Sequence, residues 1–184
     1  MKLRVGSEEQ SRPLEVRKDP NSGASEEEIR EQVAALGAVY EDFNLTADMI
    51  NQIELARGQL ISLRQVLDGL GGAADLKAAA DSMEAQLIAV EGDLYQLRQT
   101  GRGQDGIRWP AKLIQQLGYL FGGLGGTDYR PTTQHGEVAR LLREQTRASR
   151  QRLDAFLQRD LERFNQRLRE RGLQGIVVRL APAT

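Results

Sequence analysis

The chain has no cysteine in its 184 residues. Disulfides, thiolate nucleophiles and Cys-ligated metal sites are therefore excluded, and the redox compartment stays open. Histidine occurs once, at His135. No Glu-x-x-His pair exists, which argues against a carboxylate-bridged di-iron bundle. A Ser-His-Asp triad would have to use this one imidazole, and no G-x-S-x-G elbow accompanies it. The longest apolar run, Leu113 to Leu124, is broken by Gln115, Gln116 and glycines, and is too short to cross a bilayer. The opening "MKLRVGSEEQ" lacks the apolar stretch of a signal peptide, so an exported parent would carry its signal outside these residues. Net charge is -1, which gives no general push toward nucleic acid or a membrane surface. No cofactor and no membrane insertion are expected. Aromatics make up only 5% of the chain and mean hydropathy is -0.49, a balance that leans toward long amphipathic helices.

Helical periodicity dominates what is present. Residues 1–22 form the exception. "KLRV" and "RPLEVRK", separated by the turn formers of "GSEEQS", predict a β-hairpin. A lone hairpin is marginal in water, so it reads as the tail of a preceding β-sandwich module. Residues 23–184 predict a helical bundle. Ser25 and Glu28 form a capping box, with Glu26 and Glu27 suiting a helix start. Apolar residues then recur at Ile29, Val33, Leu36, Tyr40, Phe43, Ile50, Ile53, Leu60, Leu63, Leu67 and Leu70, which predicts one helix over 26–70. Its weak point is "NLTAD", where Thr46 could cap a second helix. Leu76, Ala80, Met83, Leu87, Val90, Leu94 and Leu97 keep heptad spacing and predict a helix over 74–99. Pro110 suits the first turn of a third helix, 110–121, burying Leu113, Ile114, Leu117, Leu120 and Phe121. Thr132 or Thr133 caps a fourth, 133–171, with seam Val138, Leu142, Leu153, Phe156, Leu157, Leu161, Phe164 and Leu168. "GIVVRL" suggests a short terminal strand. The expected fold is mainly α: an antiparallel four-helix bundle with long first and fourth helices, preceded by the hairpin.

Chemistry-bearing patterns are few. Gly101, Gly103 and Gly106 spell G-x-G-x-x-G, but that fingerprint needs a strand before it and a helix directly after. A heptad helix precedes it here, and no Lys-Ser or Lys-Thr completes a P-loop. The stretch reads instead as a structured turn: glycines for positive φ, Asp105 bonding loop amides, Trp109 plugging a bundle end. His135 falls in the first turn of the fourth helix. Carboxylates fall mostly on polar helix faces, where solvation is the default. An enzyme with a carboxylate site would need acids facing one another on seam positions, and the apolar seams contain none. Charge is uneven: residues 137–171 hold ten Arg against six acids, and residues 25–98 hold fourteen acids against five bases. Arg140, Arg143, Arg147 and Arg150 step by three and four beside Glu144, so pairing with the acidic helices is expected ahead of phosphate binding. No aromatics interleave with them, and no nucleic-acid partner is expected. Gly118, Gly122 and Gly126 mark close contact near a helix end or fraying, and Asn44-Leu45-Thr46 is a sequon placed mid-helix.

Three stretches carry a resemblance. "RPLEVRKDPNSGASEEEIREQ", "INQIELARGQL" and above all "GQDGIRWPAKLIQQLGYL" resemble the C-terminal helical region of bacterial sortilin-like β-propeller proteins with BNR (Asp-box) repeats, usually labelled glycosyl hydrolases. The marker residues are Gly103, Gln104, Asp105, Arg108, Trp109 and Pro110. The resemblance spans Arg12 to Val178. It implies an extracytoplasmic fragment whose propeller and hydrolase chemistry lie outside these residues, so no catalytic residue carries over. The implied function is a non-catalytic accessory module contacting the parent's β domains or another protein. The alternative is an independent helical adaptor or oligomerisation protein.

Overall fold

The computed structural model describes residues 1–178. The fold is mainly helical, with a two-stranded antiparallel hairpin at its N-terminus. The strands are β1, Lys2–Val5, and β2, Glu8–Ser11, paired Val5 to Glu8 and Lys2 to Ser11. The second strand is therefore not "RPLEVRK". Gly6 has φ 61, the positive value that a two-residue type II′ turn demands at its first position, and this turn brings Glu8 directly opposite Val5. Every strand residue is exposed.

Helix α1 spans Glu26–Gly69 without a break. Ser25 accepts from the Glu28 amide at 3.2 Å and Glu28 accepts from the Ser25 amide at 2.8 Å, as the capping box requires. Thr46 does not cap a new helix. Its buried hydroxyl donates to the Asp42 carbonyl at 2.8 Å, one turn back, and the helix runs on. The buried stripe in the first half is Gln32, Val39 and Thr46, while Val33 and Tyr40 are exposed. An apolar-only reading slips here because a glutamine and a threonine sit on the seam. Gln32 is tolerated because its Nε2 donates to the Leu124 carbonyl at 2.8 Å.

Helix α2, Ala74–Leu94, buries the expected Leu76, Ala80, Met83, Leu87, Val90 and Leu94 but stops five residues early. Tyr95 is extended, and the buried Gln96 side chain takes over. Its Nε2 donates to the Pro110 carbonyl at 3.1 Å and its Oε1 accepts from the Arg98 amide at 3.3 Å, so Leu97 lies outside the helix and exposed. A one-turn helix α3, Asp105–Arg108, follows. Helix α4, Leu113–Gly125, starts after Pro110, not on it, and continues past Phe121 to bury Leu124. Two of its glycines face α1: a Cβ on Gly118 would lie 3.6 Å from the Phe43 ring, and one on Gly125 would lie 3.8 Å from Leu36, both ordinary contact distances.

Helix α5, Thr133–Ala155, passes through a π-helical turn, Phe156–Leu161, into α6, Glu162–Glu170. The expected seam holds from Leu142 onward, with Thr146, Ser149 and Asn165 added, but Val138 is exposed. The π turn has a readable cause. Buried positions step 142, 146, 149, 153, 156, then jump by five to 161. One extra residue is absorbed by widening one turn, which returns Leu161 to the core. Residues 173–178 have no strand; the remainder of "GIVVRL" lies outside the described residues.

Contacts across helices fix their directions. Arg64 pairs with Asp81 and Lys77 with Asp68, so α1 and α2 are antiparallel. Phe43 faces Gly118 and Leu36 faces Gly125, so α4 is also antiparallel to α1. Arg143 meets Asp42 and Arg150 meets Gln52, so α5 runs parallel to α1. Thus α2 and α4 follow one another along α1, in the same direction. The expected side-by-side four-helix bundle is replaced by three columns: α1, the interrupted α2–α4 column, and α5–α6. The physical reason is that α1 is long enough to bury both shorter helices end to end. At 1.5 Å per residue its 44 residues reach about 65 Å.

Candidate functional site

The segment between α2 and α4 does not reverse the chain; it bridges a gap in one column. Its anchor is Asp105. The carboxylate accepts from the Thr100 amide at 2.6 Å, the Thr100 hydroxyl at 3.1 Å and the Arg102 amide at 3.2 Å. Desolvation, the largest single influence, pushes this carboxyl up. The bonds from Thr100, with those from the Arg102 and Gly101 amides, together outweigh it and hold Asp105 below its usual range. Of the three glycines only Gly101 has a positive φ, 75; Gly103 and Gly106 do not need one. Gln104 caps α3 through its carbonyl, which accepts from Ile107 and Arg108. Arg108 points to solvent, and Ile107 is 88% exposed. Trp109 is half-buried and does not plug the core. Its face carries the Arg98 guanidinium carbon at 4.8 Å, a cation–π contact. Pro110 contributes its carbonyl to Gln96.

Two shallow depressions flank this segment and share Asp93, Pro110 and Lys112. One, of about 470 Å³, is walled by Trp109, Arg98 and Leu97; the other, of about 390 Å³, by Gln116, Gln145 and Ser149. Asp93 is the one carboxylate that lines either of them. Asp93 is already paired with Arg152 at 2.5 Å. No group of three His, Asp or Glu able to hold a metal occurs among the described residues. His135 lies in the first turn of α5, where its Nδ1 accepts from the Thr132 amide at 3.4 Å while the Thr132 hydroxyl accepts from the His135 amide. That imidazole is a cap.

The acidic residue that sequence reading missed is Glu91, 2% exposed on α2. It pairs with Arg57 of α1, whose Nε also lies 3.9 Å from Glu84; Arg64 binds Glu84 at 2.5 Å and Asp81 at 2.8 Å. Burial raises the Glu91 pKa, Arg57 pulls it down, and Glu54 adds a smaller upward push. Arg57 Nε itself has no hydrogen-bond partner. Spacing gave one available signal: Arg57 and Arg64, like Glu84 and Glu91, are seven residues apart. The carboxylates thus do not face each other as an acid–base pair. Each faces arginine, and the arrangement ties α1 to α2.

The Arg-rich helix behaves partly as expected. Arg143 pairs with Asp42 of α1, and Arg152 and Arg167 pair with Asp93 and Asp75 of α2. Arg140 and Arg150 instead bind Glu144 and Asp154 on their own helix. No family model, curated protein or solved structure matches the chain. No helix among the described residues is long and apolar enough to cross a membrane.

Proposed function

We propose that the chain is a non-catalytic helical accessory module. Its hairpin joins it to a preceding β domain, and its three columns act as a spacer and protein-contact surface. The observation that carries this reading is the apolar content of the N-terminal segment. Leu3, Val5, Leu14 and Val16 are 60%, 69%, 67% and 87% exposed, with none of them used by the helical core. Leu3 and Val5 share one face of a hairpin too small to be stable alone. A β domain stacked on that face would cover them. The resemblance to BNR-repeat propeller proteins supplies the matching parent: an extracytoplasmic chain of the kind labelled glycosyl hydrolase, whose chemistry would lie in other domains. The charge pairs described above support the non-catalytic part, since the buried carboxylates are committed to arginine.

Replacing Leu3 and Val5 together by serine tests the assignment. The melting temperature of the chain is expected to stay within about 2 °C, as for surface changes generally, while calorimetric affinity for the parent β domain falls. A drop of many degrees would place the hairpin in the helical core and overturn the reading. The independent-adaptor alternative is favoured by one feature: Val33 and Tyr40 on α1 and Phe121 on α4 are exposed side by side, with the Tyr40 and Phe121 rings 6.1 Å apart. It predicts a protein partner that is lost on Tyr40→Ser and unaffected by the hairpin variant.

A further inference from the structure

The far end of the molecule holds a second feature, independent of the accessory-module reading. Beyond Leu173 the chain runs along the groove between α1 and α6, and two side-chain amides grip it. Asn165 of α6 accepts from the Ile176 amide at 2.7 Å and donates to the Ile176 carbonyl at 2.9 Å. Gln59 of α1 accepts from the Val177 amide at 2.9 Å and donates to the Val177 carbonyl at 2.8 Å. Each carboxamide therefore reads both backbone groups of one residue, as a neighbouring strand would. Asn165 is 8% exposed and Ile176 is 6% exposed, so this end of the groove is dry and the side chain at 176 is an anchor. Position 175 is read by exclusion. A Cβ on Gly175 would lie 3.0 Å from both the Cγ and Oδ1 of Asn165, inside ordinary contact. The groove thus recognises an extended segment of the form glycine, buried β-branched residue, second residue.

The seat is also incompletely filled. A depression of about 480 Å³ remains beside the segment, with Leu55 and Val66 of α1 exposed along it at 40% and 53%. The connection back to α6 is short and turns at Gly172, which has φ 71 and no atom within 4 Å of where a Cβ would stand. Leu173, just beyond it, packs on the core, and its amide donates to the Leu168 carbonyl at 2.9 Å, so the chain is free to depart only after that residue; short hinges favour exchange of a terminal segment between copies.

We propose that the α1–α6 groove is a peptide site, and that it takes residues 174–178 either from its own chain or from a second copy of it. The segment's own sequence is the ligand whose fit is seen. In cis, a short tether gives an effective concentration in the millimolar range, so the closed form prevails at low protein concentration. Exchange appears when the cis arrangement is blocked.

Two full-length variants separate seat from ligand. Gly175→Val pushes its Cβ against the Asn165 carboxamide and is expected to weaken the seating of its own segment, but keeps the groove. Gln59→Ala with Asn165→Ala keeps the segment but loses the grip. Each alone is expected to sediment as a monomer, and the equimolar mixture to form a two-chain species. A mixture that stays monomeric, with both variants helical by circular dichroism, overturns the proposal. Should the double variant not fold, a labelled peptide of residues 173–178 decides. It is expected to bind Gly175→Val saturably and the unmodified chain at least about tenfold more weakly, since the resident segment competes. Equal binding to both, no binding to Gly175→Val, or equal binding of a same-length peptide with valine in place of the glycine would each overturn it.

Discussion

Single residues decide where this chain departs from simple patterning, and Glu91 is the clearest case. A carboxylate almost out of water costs several kcal/mol unless paired, and Arg57 supplies the pair. Arg57→Ala is expected to destabilise the fold by about 3–5 kcal/mol in urea unfolding, because it strands that charge. Adding Glu91→Gln to it should restore a large part. The pH dependence has a definite sign. Glu91 is raised in the folded chain, so the folded state holds its proton more tightly than the unfolded state. Its contribution therefore improves as pH falls from above its raised value toward the ordinary 4.5. Glu28 and Asp75 are lowered, the first by Ser25 and the second chiefly by Arg167, so their contributions are present above the ordinary carboxyl range and fade as pH falls through their lowered values. The stability of the unmodified chain relative to Glu91→Gln should accordingly rise on acidification. A stability relative to Glu91→Gln that falls on acidification would contradict the assignment of burial as the dominant influence.

At the scale of elements, the π turn is a one-residue insertion accommodated inside a helix. Removing Gln158, an exposed residue of that turn, should restore an unbroken α-helix and keep both Leu153 and Leu161 on the seam. Circular dichroism is expected to show undiminished helicity with a melting temperature at or above that of the unmodified chain; a large fall would mean that the wide turn is needed in its own right. The same elements show what could be read from the chain. Helix existence and the α2 seam followed from apolar spacing, and the α1 start from its capping box. The ends did not. α2 stops because Gln96 bonds the Pro110 carbonyl, a contact across fourteen residues that no local pattern announces. The first half of α1 buries Gln32 because Leu124, distant in sequence, offers it a carbonyl. In the marker loop, Asp105 was legible as a binder of loop amides, whereas the Arg98–Trp109 contact and the groove residues Gln59 and Asn165 were not. Polar side chains that bond backbone carry no periodic signature.

On the scale of the whole molecule, the three columns make a rod with distinct ends. The hairpin is joined through residues 12–25 to the α1 start, and the C-terminal segment is gripped in the second half of α1, at Gln59. The Gly101–Pro110 stretch lies between them, spanning the break in the middle column. A spacer with separate contact points at its two ends fits this shape better than a closed bundle around one pocket. Everything in that picture depends on α2 and α4 lying end to end. The absence of cysteine makes this directly measurable, since Ala78→Cys and Gly122→Cys can carry the only two spin labels, both at exposed helical positions. Pairing along α1 places these sites just under thirty residues of helix apart, so dipolar spectroscopy should find a distance of about 40–45 Å at 1.5 Å per residue. A distance of roughly 20 Å, as when α4 folds back beside α2 in a four-helix bundle, would contradict the three-column fold.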